Sequence, residues 1–104
     1  MDTKIEPILY DDTDIIKAAC RLKAMSHPLR LKILCVLGKN SISVQDIVEL
    51  VGTSQSNISQ HLSVLKEKNI LVSKKEANRV YYRIDDERVL QLIGMMRDVF
   101  CAKH

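Results

Sequence analysis

Residues 54–66, Ser-Gln-Ser-Asn-Ile-Ser-Gln-His-Leu-Ser-Val-Leu-Lys, put two kinds of chemistry on one short stretch of a 104-residue chain. Ile58, Leu62 and Leu65 recur at the spacing of a helical stripe that packs into a core. Around them stand Ser54, Gln55, Ser56, Ser59, Gln60 and Ser63, uncharged side chains rich in hydrogen-bond donors and acceptors, where a solvated helix would ordinarily carry Glu and Lys. Such groups can read the edges of base pairs, and Lys66 and Lys68 follow for phosphates. The stretch predicts a DNA-recognition helix; the plainer alternative is a serine-rich surface helix. His61 could touch a phosphate, or hold the helix against the wing by a hydrogen bond.

The chain has three cysteines, Cys20, Cys35 and Cys101. No apolar run approaches the roughly twenty residues that span a bilayer, and the N-terminus is acidic where a signal peptide is basic. The chain is therefore read as cytoplasmic, where cysteines serve as buried thiols, metal ligands or redox sensors rather than as permanent disulfides. A thiol sensor needs one thiolate to attack a sulfane sulfur or a peroxide, and a second thiol within reach to resolve the product. Cys101 is the more exposed candidate, with Arg97 one turn earlier and Lys103 close by to favour the thiolate. Cys35 sits in an apolar run, where a cysteine often just fills core space. Cys20 reads as an auxiliary thiol. The three together could bind a soft metal, but no His or carboxylate is spaced to complete such a site. Asp85, Asp86 and Glu87 suit a helix cap rather than an acid–base pair. With no phosphate loop or nucleophile motif, neither an enzyme nor a cofactor is expected.

The elements that must position these groups can be read in order. The length suits one domain that would profit from dimerisation. A net charge of +3 is weak evidence for nucleic acid, but residues 66–83 are locally basic, and the first fourteen residues are acidic. Residues 1–13 are expected to be a flexible acidic segment and 14–104 a single domain. A first helix carries Ile15, Ile16, Ala19, Leu22 and Met25 on one face. His27 shapes the start of a second, opened by Pro28 and closed near Gly38, which is apolar on most sides at Leu31, Ile33, Leu34, Cys35 and Leu37 and should be central to the core. After a polar connection at residues 39–43, Val44–Val51 forms a short helix with Ile47, Val48 and Val51 inward. Gly52 caps it, Thr53-Ser54 make the turn, and Ser54 caps the polar helix. Residues 70–73 and 79–84 are strands of a hairpin that turns at Ala77-Asn78. Its basic tip, with Lys75, Asn78 and Arg79, would be a wing able to reach the adjacent DNA backbone or minor groove. Tyr81 and Tyr82 alternate, one toward the core, and Tyr82 or Arg83 could face DNA. Residues 86–101 form a last helix with Val89, Ile93, Met96 and Phe100 on one face, and Gly94 could admit another helix closely. The fold class is mainly α with a small β-hairpin (α+β), a winged helix-turn-helix.

Three segments in this order, Leu22-Lys23-Ala24-Met25-Ser26-His27-Pro28-Leu29-Arg30-Leu31, Ser54-Gln55-Ser56-Asn57-Ile58-Ser59-Gln60-His61-Leu62 and Arg79-Val80-Tyr81-Tyr82-Arg83, resemble the ArsR/SmtB family of winged-helix repressors over roughly residues 14–102. The resemblance implies a homodimer built from the first and last helices, double-stranded operator DNA with inverted repeats as partner, and release on induction. Metal-sensing members carry a Cys-x-Cys in the helix before the recognition helix, or Asp and His pairs on the last helix; this chain has neither. Cys35 in Ile33-Leu34-Cys35-Val36-Leu37 and Cys101 in Val99-Phe100-Cys101-Ala102 instead resemble the paired cysteines of the BigR/SqrR/HlyU subgroup. That likeness implies a repressor induced by reactive sulfur species or oxidants. A metal- or metalloid-responsive repressor using the same thiols, and a winged-helix protein-interaction module, are the competing expectations.

Overall fold

The computed structural model describes residues 5–101. Residues 1–4 and 102–104 lie outside this description, and with them the start of the acidic leader and Lys103 and His104. The element order is α1 (Asp12–Met25), α2 (Pro28–Leu37), β1 (Ile42–Ser43), α3 (Val44–Val51), α4 (Gln55–Glu67), β2 (Leu71–Glu76), β3 (Arg79–Ile84) and α5 (Glu87–Phe100). No helix among the described residues is long and apolar enough to cross a membrane.

The helix starts are set by side chains that take up otherwise unpaired backbone N–H groups. The Asp11 carboxylate accepts from the N–H of Thr13 at 2.8 Å, Ser43 Oγ from that of Asp46 at 3.2 Å, and Ser54 Oγ from that of Asn57 at 3.2 Å. His27 does the same with its imidazole: Nδ1 accepts from the N–H of Leu29 at 3.1 Å, directly before Pro28. Between α3 and α4, Gly52 lies at φ 88°, a left-handed conformation that costs a side-chain-bearing residue about 1–2 kcal/mol. The tight turn into α4 depends on it.

Ile33, Leu34 and Leu37 of α2, Ile47 of α3, Ile58, Leu62 and Leu65 of α4, and Leu71 of β2 are fully buried. Each contributes roughly 1.5–3 kcal/mol of burial. Ile58, Leu62 and Leu65 are the stripe expected from the sequence, and their burial turns the serine and glutamine face of α4 outward.

Several expectations change. The connection at residues 39–43 contains β1, which pairs with β3 (Ile42↔Tyr82, Ser43↔Tyr81), so the hairpin becomes a three-stranded antiparallel sheet in the order β1-β3-β2. β2 runs on to Glu76, where it pairs with Arg79 across a two-residue turn. Tyr81 and Tyr82 are both half-buried because β1 covers one edge of β3, and Tyr82 packs on the core. Cys35 does not fill the core: Ile33, Leu34 and Leu37 take the inner face of α2 and leave Cys35 exposed. Only Met25 of the five apolar residues expected to face inward on α1 is buried; Ile16 is 67 % exposed. On α5, Val89, Ile93 and Met96 pack partly on the core, but Phe100 is 80 % exposed. A second apolar stripe on α5, Leu92, Met95 and Val99, faces outward and was not foreseen.

Candidate functional site

Ser54, Gln55, Ser56, Ser59 and Gln60 are all exposed, along one side of α4. Ser56, Asn57, Ser59, Gln60 and Ser63 line an open concavity of about 730 Å³ beside the helix. Ser54 is partly engaged by its cap, with its Oγ also 3.5 Å from Ser56 Oγ. Asn57 Nδ2 donates to Thr53 Oγ1 at 3.3 Å and braces the turn. Gln55, Ser59 and Gln60 make no side-chain hydrogen bond among the described residues, so their donors and acceptors stay open to a ligand.

Lys75, Asn78 and Arg79 are exposed at the tip of the β2–β3 hairpin. Lys74 pairs with Glu76 at 3.3 Å, a solvent-exposed pair of small energetic value. Lys66, at the end of α4, donates to Ser73 Oγ at 2.7 Å and so ties the wing to that helix. Of the two residues considered for a DNA-facing role, Tyr82 turns inward, and Arg83 is outward but paired with Asp85 at 3.2 Å.

The groups that hold α4 were only partly visible in the sequence. His61 does use a hydrogen bond, but toward α2 rather than the wing: Arg30 Nε donates to its Nδ1 at 3.0 Å. Arg30 also donates from its guanidinium to the Ala24 carbonyl at 3.1 Å, and the His27 and His61 rings lie 4.5 Å apart, tilted by 45°. Burial, then His27, then Arg30, hold the His61 imidazole below its ordinary value of 6.5. Lys32 donates to the Val51 carbonyl at 3.1 Å and caps the end of α3. Arg30 and Lys32 escaped notice as ordinary helix cations. The one available signal was that Arg30 directly follows His27-Pro28-Leu29.

A second concavity, of about 380 Å³, opens between α2 and α5. Leu31 and Cys35 stand on one wall; Ile93, Gly94, Phe100 and Cys101 stand on the other, with Arg97 beside them. Both cysteines are exposed free thiols, and Cys20 lies elsewhere, exposed on α1. Arg97 donates from Nε and a terminal nitrogen to the Asp98 carboxylate at 3.2 Å each. Nothing lies within 4 Å of where a Gly94 side chain would begin, so Gly94 admits no helix of the same chain. The start of α5 is fixed by Asp86, whose carboxyl is held down to about 2 by hydrogen bonds from the Arg88 side chain and backbone. No group of three or more His, Cys, Asp and Glu side chains that could hold a metal occurs among the described residues, and the three cysteines are not gathered.

With this geometry, the comparisons with known proteins agree. The family described as "Bacterial regulatory protein, arsR family" matches residues 27–73, from the α2 cap through the start of the wing. The HTH-type transcriptional regulator YgaV of Escherichia coli (strain K12) is 40 % identical over 86 residues, covering 82 % of this chain and 87 % of that protein. The solved structure of HlyU from Vibrio cholerae N16961 superposes with a TM-score of 0.81 at 34 % identity, covering 88 % of this chain and all (100 %) of the other. The transcriptional repressor BigR from Xylella fastidiosa gives a TM-score of 0.77 at 31 % identity, covering 90 % and 100 %. Helix order, wing and sequence likeness converge on one conclusion: this chain belongs to the arsR family of bacterial regulatory proteins and has their winged helix-turn-helix fold.

Proposed function

We propose that the chain is the protomer of a homodimeric repressor, acting in the cytoplasm and without catalysis. In this reading it holds double-stranded operator DNA while its thiols are reduced and releases it when Cys35 and Cys101 become joined. The observation that carries the reading is their position on facing walls of one groove, Cys35 on the helix that builds the core and Cys101 at the end of α5. The DNA half of the reading is supported by the outward Gln55, Ser56, Ser59 and Gln60, flanked by Lys75, Asn78 and Arg79. The dimer half is supported by the apolar residues that α1 and α5 leave uncovered. In such a dimer the two α4 helices would meet successive major grooves about 34 Å apart.

The chemistry balances. A thiolate attacks the outer sulfur of a persulfide RSSH, breaking its S–S bond and releasing the thiol RSH. The new protein persulfide is then attacked by the second cysteine, which forms the disulfide and expels hydrogen sulfide. A peroxide does the same through a sulfenic acid, with water leaving. Joining α2 to α5 would couple the core to the dimer interface, and packed elements shift between discrete arrangements. A hundredfold loss of affinity needs only about 2.7 kcal/mol.

The test is fluorescence anisotropy on a duplex selected for binding to the reduced protein, before and after adding a sulfane-sulfur donor. The expected result is release of the wild type and of Cys20→Ser, with Cys35→Ser and Cys101→Ser still bound. Normal release of Cys101→Ser contradicts the two-thiol reading. Release by stoichiometric zinc on the same thiols would favour a metal-responsive repressor. Absence of any salt-dependent duplex binding would favour a protein-interaction module.

A further inference from the structure

The Arg30, His27 and His61 cluster joins the α1–α2 corner to α4, and its hydrogen bonds work in only one protonation state. A backbone N–H and an arginine N–H can donate but not accept. His27 Nδ1 takes its bond from Leu29 N, and His61 Nδ1 takes its bond from Arg30 Nε, so both nitrogens must be bare. The proton of each neutral ring is then on Nε2. A second proton would have to enter at Nδ1, where it would meet a donor and break the bond. It would also create imidazolium charge on rings 4.5 Å apart and beside the Arg30 guanidinium.

We propose that Arg30, His27 and His61 are positioning residues that fix the recognition helix only while the His61 imidazole is neutral, so that acidification lowers operator affinity. The inference rests on α4 being the DNA-reading helix. The surroundings offer no compensation. Three and four residues from His61 on α4 stand Asn57, Ile58, Val64 and Leu65, none of them titratable. The α1–α2 corner presents the cationic Arg30, the second histidine and, in the last turn of α1, the cationic Lys23, none of which can compensate an imidazolium. On α3, Asp46 and Glu49 line a different groove with Tyr81, and β2 meets α4 through Ser73 and Lys66. None of the ion pairs among the described residues includes a histidine.

The sign follows from linkage. His61 is held below 6.5, so the folded state prefers it neutral; the stability this gives is present above 6.5 and is lost as pH falls from there through the lowered value. The Asp86 cap of α5 stays ionised until pH approaches about 2, so that helix start is not the source of a change near pH 6. The direction is diagnostic. A protein that merely gained positive charge would bind the DNA polyanion more tightly as pH fell, whereas this clamp predicts weaker binding.

The experiment has two arms on the full chain, kept reduced. In the first, anisotropy on the selected duplex at constant salt is followed from pH 7.5 to 5.5. Wild-type affinity is expected to fall about tenfold for each unit by which the His61 pKa differs between free and bound protein. His61→Ala should weaken binding at pH 7.5. His61→Gln, whose carbonyl can accept from Arg30, should recover much of that loss and flatten the pH profile. Wild-type affinity that is constant or rises toward pH 5.5, or a His61→Gln protein with the wild-type profile, overturns the proposal. In the second arm, imidazole and backbone amide resonances of the free wild-type protein are titrated. Amides of α4 should move with the His61 imidazole; a His61 that titrates while α4 stays still overturns the proposal even if every variant fails to fold. If no duplex is bound at pH 7.5, the DNA reading of α4 fails, and this arm still decides whether the clamp holds the helix.

Discussion

The two halves of this molecule differ in how far one chain can complete them. In the half built from α2, α3 and α4, every inward apolar side chain finds a partner: Ile33, Leu34, Leu37, Ile47, Ile58, Leu62 and Leu65 are all buried. In the half built from α1 and α5, no residue of α5 is fully buried, while Ile16, Leu92, Met95, Val99 and Phe100 are exposed. Exposed apolar stripes on two helices are costly to leave in water and mark interaction surfaces. The helix that would read DNA is thus set in a finished core, while the thiol groove lies where α5 borders the unfinished half. On the proposed reading, a sensor placed there would change the geometry of a dimer without unfolding the reader.

The largest expected effect tests the finished half. Leu62→Ala should cost about 2–5 kcal/mol by removing buried volume beneath α4, read as a lowered denaturation midpoint. A cost below about 1 kcal/mol would mean that α4 is not seated as described. Next, the double substitution Leu92→Glu with Val99→Glu should leave helix content intact by circular dichroism while sedimentation shifts from dimer to monomer. Operator affinity should then drop about a hundredfold or more, because two linked half-site contacts are lost as a pair. An unchanged dimer would move the interface away from the outer stripe of α5.

Smaller effects separate the reading helix from the wing. Gln60→Ala should cost about 1–3 kcal/mol and relax preference at particular base pairs in a binding selection. Arg79→Ala should instead weaken selected and random duplexes alike and lower the salt slope by about one contact per protomer. Base-specific loss with Arg79→Ala would make the wing a reader. The smallest effect concerns the turn, where Ala77 lies at φ 57°. Ala77→Gly should relieve that strain and raise stability by up to about 1 kcal/mol, by thermal melting, with little change in operator affinity.

The same division explains what could be read from the sequence. The stripe of Ile58, Leu62 and Leu65, the Ser54 cap, Gly52 and the Ala77-Asn78 turn are local features, and local spacing and backbone preference reveal them. β1 was missed because two residues, Ile42 and Ser43, carry no periodicity and exist as a strand only through pairing with β3. Spacing alone favours Cys35 as a core filler, because α2 has apolar residues all round and spacing cannot say which side faces inward; the exposure of Cys35 is visible only in the packed structure. The outer stripe of α5 was masked by the inner one, Val89, Ile93 and Met96, one helical face away. Arg30 meets His61 across 31 residues of sequence, and no local rule reports such a contact.

In the proposed switch, Cys35 and Cys101 act as one unit across the α2–α5 groove. Its most direct measurement is peptide mass spectrometry, without reduction, of protein collected at the point where a sulfane-sulfur donor has released the selected duplex. Cys35 and Cys101 peptides are expected to be recovered joined through two or more sulfurs, in proportion to the DNA released, with Cys20 unlinked. Release with Cys35 and Cys101 unjoined, or with the link running through Cys20, would contradict it.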